Sequence, residues 1–169
     1  MTYQSSYIQT TALKVDAWRQ NNKVSFSPYD RISWTTVGTL DTGATLETGT
    51  SDTKIVLPAG SSWYLEASIG ALNATKNTVA ELQFYDLLSS AFVGQSAQLC
   101  IDTSHGSALR QGRRVARALI LDSDITTQAE ICLVIKSVTG SPTWSVTSLG
   151  INNFLTSGVP TLRIWELPS

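Results

Sequence analysis

At 169 residues and 18.3 kDa the chain is the size of one domain and long enough to bury a core of its own. Charged residues make up only 15%, while Ser and Thr supply 21 residues each; with 11 glycines, this disfavours a helical bundle and favours strands joined by turns. A formal net charge of -1 gives no general pull toward nucleic acid or anionic lipid, and no apolar run reaches the roughly 18 residues of a membrane-spanning helix.

Residues 1–30 are polar and irregular around one apolar patch, Ala12 to Trp18, and read as an arm or a first strand. Met1 to Ser6 carries neither the basic cap nor the apolar stretch of a secretory leader, so no signal peptide is expected and the chain works where it is made or travels as part of a larger particle. From residue 31 to 169 short strand-like segments alternate with turn signals. Arg31 to Val37 is the first, and Leu40 to Thr50 is a Gly/Thr-rich loop with room for one short strand. Lys54 to Leu57 ends at the turn Pro58-Ala59-Gly60. Ser62 to Ile69 then alternates, with Trp63, Leu65, Ala67 and Ile69 on one side and Tyr64, Glu66 and Ser68 on the other.

Val79 to Leu88 follows, then a loop through Gly94 and Gly106. Arg114 to Leu121 is a strand closed by Asp122-Ser123-Asp124. Gln128 to Lys136 alternates again, Ala129, Ile131, Leu133 and Ile135 against Glu130, Cys132 and Val134. Thr143 to Ile151 and Thr161 to Leu167 complete the set. About eight to ten strands at this spacing imply one all-β sandwich or barrel.

Side chains suited to catalysis are scarce. His105 is the only histidine, and its neighbours Asp102, Thr103 and Ser104 are too close in sequence to form a hydrolase triad, which is assembled from separate elements. Asp122 and Asp124 lack the further oxygens of a hard-cation loop and fit a strand-ending turn. Cys100 and Cys132 are too few for a disulfide scaffold and lack zinc-site spacing; Cys132, inside the apolar run Ile131 to Ile135, reads as a small buried hydrophobe. Neither an enzyme nor a cofactor, metal or small-molecule substrate is expected.

Two features suit partner binding instead. Arg110, Arg113, Arg114 and Arg117 place four of the twelve basic residues within eight positions. They form either an anionic-partner patch or a strand entry whose arginines meet carboxylates of this fold or its neighbours. With Trp18 of the arm they are the candidates for partner contact. Tyr64 points away from Trp63 and Leu65, and Trp165 does the same if Leu162 and Ile164 are core positions, so both are interface candidates.

The segment Ile55-Val56-Leu57-Pro58-Ala59-Gly60-Ser61-Ser62-Trp63-Tyr64-Leu65-Glu66-Ala67-Ser68 resembles the strand–Pro–x–Gly–aromatic strand signature of the tumour necrosis factor and complement globular-head superfamily. Arg31-Ile32-Ser33-Trp34 before it fits the same layout, and Gly158 to Leu167 looks like the last strand of such domains in bacteriophage structural proteins. The aromatic-rich tail motifs of the animal proteins are missing, so receptor signalling does not follow.

The resemblance implies a two-sheet antiparallel jelly-roll sandwich of about ten strands with an extended N-terminal arm, assembled as a homotrimer. It would place 161–167, 62–69 and 128–136 side by side in that order. Trp63, Leu65, Ile131, Leu133, Leu162 and Ile164 would then fill the sandwich, while Tyr64, Glu66, Glu130, Cys132, Arg163 and Trp165 would face the other subunits. Arg163 would lie across from Glu66, with Glu130 one strand further. The implied function is a capsid decoration (cement) protein on the surface of a phage virion, with the major capsid protein as partner. The alternative is the receptor-binding head of a tail fibre or spike, which would read host glycan or protein through loops 40–50, 94–108 and 122–127.

Overall fold

A computed structural model describes residues 17–18, 27–32, 34–35, 43–47, 54–68, 78–101, 115–139 and 161–167. Every regular element among them is a strand, apart from one 3-10 turn at Asp122–Asp124. The strands are β1 (Ala17–Trp18), β2 (Trp34–Thr35), β3 (Thr45–Glu47), β4 (Lys54–Pro58), β5 (Ser62–Ser68), β6 (Thr78–Asp86), β7 (Ala91–Ile101), β8 (Val115–Ile120), β9 (Gln128–Thr139) and β10 (Thr161–Leu167). β1 and β2 pair as a short ribbon, and the other eight form one antiparallel sheet in the order β10-β5-β8-β7-β6-β9-β4-β3.

The sheet curls, and its core explains why. Leu162 and Ile164 of the first strand in that order belong to the same buried cluster as Ile55 and Leu57 near the opposite end, together with Trp63, Leu65, Leu82, Phe84, Ile131, Leu133 and Ile135. One face of the whole sheet therefore turns inward onto a shared apolar interior, the only way these side chains leave water together. All six core positions expected from the alternation, Trp63, Leu65, Ile131, Leu133, Leu162 and Ile164, lie in that cluster.

Trp63 is fully buried at its centre, and its indole N–H donates to the carbonyl of Pro58 at 3.1 Å. That carbonyl belongs to the turn joining β4 to β5, which passes through Gly60 at φ 99. The 3-10 turn clamps the same bend: Asp122 Oδ1 accepts from Gly60 N (2.6 Å), and Ser62 Oγ accepts from Asp122 N (3.0 Å). Asp122 thus acts as a structural link between two turns.

Three expectations need correction. The order 161–167, 62–69, 128–136 holds only for its first pair, because β5's second neighbour is β8 and β9 lies between β6 and β4. Alternation identifies which face a residue occupies but says nothing about which strand lies beside it. The stretch after Gly94, expected as loop, is strand as far as Ile101. Gly94 sits at φ 70 inside a register shift between β6 and β7, and this bulge brings β7 against β8, where Gln95 pairs with Arg117. Cys132, expected on a subunit-facing side, is only 1% exposed: it lies opposite Tyr85 in the β6–β9 register, and its thiol donates to the Tyr85 carbonyl at 3.7 Å.

Residues 27–32 run as one piece across the expected boundary at 30/31. Ile32 N donates to Leu133 O (2.8 Å), Ile135 N to Asp30 O (3.0 Å), and Arg31 bridges Val134. This stretch continues along β9 beyond the end of its pairing with β4. Thr143 to Ile151, read as a strand, lies outside the described residues.

Candidate functional site

Strand alternation builds the site. In β5, Trp63, Leu65 and Ala67 point into the core, so Tyr64 and Glu66 stand on the outer face. The same parity in β10 turns Arg163 and Trp165 outward, and in β8 it buries Ala116, Ala118 and Ile120 while Arg117 and Leu119 are exposed. Register then aligns these side chains into two rows across three neighbouring strands. Trp165, Tyr64 and Leu119 form one, and Arg163, Glu66 and Arg117 the next.

In the first row the rings of Tyr64 and Trp165 lie 5.3 Å apart at an interplanar angle of 40°. Leu119 beside them is 52% exposed, while two of the three inward positions on the same strand are alanines. In the second row Glu66 carries two arginines: Arg117 Nε lies 3.2 Å from its Oε2 and Arg163 Nη1 3.6 Å from its Oε1. Glu66 is 17% exposed against 48% and 45% for the arginines, so the carboxylate is sheltered beneath two solvated guanidinium groups. The row carries one excess positive charge. Aromatic rings and arginines held in fixed geometry are the side chains that anchor protein interfaces.

Of the residues expected at a subunit interface, the fold brings together Tyr64, Glu66, Arg163 and Trp165. Glu130 lies elsewhere, on β9, where Lys54 Nζ stands 3.0 Å from its Oε1 and Gln128 Nε2 donates to the same oxygen at 2.9 Å. The Glu130 hydrogen bond, followed by that of Glu47, outweighs desolvation and holds the Lys54 amine above its ordinary pKa. Arg117, expected in the basic cluster, joins the outer-face rows and meets a carboxylate of its own fold.

Trp18 has its backbone in β1, paired with Trp34. Arg110, Arg113, Arg114 and His105 lie outside the described residues. Leu119 was not anticipated, although the pattern Ala116, Arg117, Ala118, Leu119 contains the signal: small residues alternate with large ones, and the small ones are inside. Among the described residues no three His, Cys, Asp or Glu side chains gather into a metal-binding group. No protein-family model matches the chain, and none of the curated proteins compared with it does.

Proposed function

We propose that the chain is a non-enzymatic structural protein that self-associates through the outer face of β10, β5 and β8. On this reading it is a homotrimeric decoration protein on a phage head, with the major capsid protein as partner and a jelly-roll fold. The observation that carries the reading is the pair of rows Trp165–Tyr64–Leu119 and Arg163–Glu66–Arg117, an aromatic and arginine-rich surface on an otherwise weakly charged chain. The resemblance of residues 55–68 to the tumour necrosis factor and complement globular-head signature supports the trimer, and that of 158–167 to the last strand of such domains in phage structural proteins supports the particle. A decoration protein stabilises a shell by binding its assembled form, so the coupling is mass action on the lattice and needs no catalytic group.

Light scattering behind a sizing column tests the assembly: three copies of an 18.3 kDa chain give about 55 kDa, and a clean monomer overturns the proposal. Antibody labelling of virions tests the location, with label over the head surface expected. Label confined to the tail tip would overturn the decoration role in favour of a receptor-binding head.

A further inference from the structure

A second surface, on the other half of the sheet, is built from residues the sequence did not single out. Tyr29 occupies the third position of the turn Ser27-Pro28-Tyr29-Asp30 with φ 69, the left-handed region that bulky side chains avoid. Several contacts hold it there: Asp30 N donates to Ser27 O (3.0 Å), Ser27 N to Asp30 Oδ2 (2.8 Å) and Tyr29 N to Ile135 O of β9 (2.7 Å). The ring so placed is 60% exposed. Behind it stand Phe92, stacked at 5.7 Å and 30°, and Tyr85, edge-on at 5.8 Å and 80°; those two pack on each other at 5.2 Å. An exposed aromatic fixed in both backbone and ring plane presents its π-face with little entropy left to lose on binding.

The charged groups nearest the rings are already engaged within the fold. Lys136 Nζ lies 5.6 Å from the Phe92 centroid and 3.2 Å from Glu81 Oε1, so the cation position over Phe92 is filled and its charge compensated. Asp86 caps the β6–β7 hairpin, with Oδ1 accepting from Leu88 N (2.9 Å) and Oδ2 from Ser89 Oγ (2.7 Å). A quaternary ammonium guest finds the cation position over Phe92 occupied, and an anion finds that lysine engaged.

We propose that Tyr29, braced by Phe92 and Tyr85, is a stacking platform for a neutral sugar ring of a glycan. The axial C–H face of a pyranose carries partial positive charge and meets the negative face of the phenol ring. The three-ring cluster is the size of one or two sugar rings, far short of the roughly 800 Å² each partner contributes to a standard protein interface. The site is separate from the β10–β5–β8 face and stands independently of the proposed assembly.

Saturation-transfer difference NMR on the full chain, with methyl glycosides of glucose, galactose, mannose and N-acetylglucosamine at millimolar concentration, tests it. Transfer to the ring C–H protons of at least one sugar is expected. Tyr29→Phe keeps the signal and Tyr29→Asn loses it; Asn tolerates positive φ, so the loss reports the ring and not the turn. No transfer to any of the four sugars overturns the proposal, as does transfer undiminished in Tyr29→Asn with unchanged circular dichroism. Loss of particle binding in Tyr29→Asn without any sugar signal also overturns it, assigning the ring to a protein contact.

Discussion

Arg163 stands directly across from Glu66 in the β10–β5 register, and the carboxylate it meets is already held from the other side by Arg117. The arrangement is the reverse of an arginine bridging two acids, because Glu130 lies on β9 between β6 and β4. One carboxylate under two cations leaves the outer face with surplus positive charge beside an aromatic row. Within one protomer such half-exposed pairs contribute little, of order 0–1 kcal/mol each. Their value lies in fixing where two guanidinium groups sit for a partner.

Arg163→Glu should therefore leave the protomer folded while abolishing association. The substitution puts a like charge opposite Glu66, but Arg117 remains beside Glu66, so the expected cost to protomer stability is about 1 kcal/mol. In the assembly the same change removes a positioned cation and adds a negative charge where surface is desolvated. Light scattering should give the mass of a single chain, with far-UV circular dichroism unchanged. A variant that still runs as a trimer would remove Arg163 from the interface.

Leu119 ends the aromatic row on β8, one pair along from the charged row. It is exposed on β8, lies across from Tyr64, and takes no part in the buried cluster. Leu119→Glu should change the stability of the protomer by no more than a surface substitution does, about 0.5 kcal/mol in either direction. It should nevertheless dissociate the oligomer, since a carboxylate would enter an apolar contact. Retention of the full oligomeric mass would show that β8 lies outside the contact.

What the sequence made legible follows from period two. Strict alternation in Ser62–Ser68 and across Ala129–Ile135 placed the core face of β5 and β9 correctly, because each strand reports its own faces locally. Neighbour relations are non-local, so the β5–β8 contact left no mark in either segment. β7 was concealed by Gly94: a glycine followed by Gln95 and Ser96 reads as loop, and only the sheet shows it to be a bulge within a strand. Cys132 and Val134 occupy the outer parity of β9 and are buried all the same, since larger side chains stand opposite them, Tyr85 beside the thiol and Gln83 beside the valine. The Tyr29 platform joins the 27–30 turn to the distant β6–β7 hairpin, and no local sequence window contains it.

Gly94 is the joint between the two halves of the sheet. A Cβ there would overlap the Arg117 carbonyl oxygen and stand 2.6 Å from the Ala118 Cα, at a backbone φ of 70. Gln83, whose Nε2 donates to the Gly94 carbonyl at 2.7 Å, fixes the bulge from the neighbouring strand. Gly94→Ala combines the left-handed penalty of about 1–2 kcal/mol with overpacking of about 1–3 kcal/mol against backbone that cannot swing aside. Denaturant unfolding should show a loss of about 3 kcal/mol. A loss below about 1 kcal/mol would mean that β7 and β8 do not approach as closely as the bulge requires.

Glu81 ties β6 to both of its neighbours and gives the fold an acid-sensitive contact. Its pKa is held below the ordinary glutamate range, first by the hydrogen bond from Ser96 of β7 and then, against some desolvation, by Lys136 and Ser137 of β9, with Lys136 Nζ 3.2 Å from Oε1. A carboxylate whose folded pKa is depressed stabilises the folded state at pH values above its unfolded pKa. That contribution disappears as the pH falls from about 4.5 through the lower folded value. Glu81→Gln cannot lose a proton, so the variant should be less stable than the parent at neutral pH and converge with it in acid. Paired chemical-denaturation curves between neutral pH and pH about 3 measure the difference directly. Parallel curves, with the same gap at every pH, would show that Glu81 acts through packing and not through its charge.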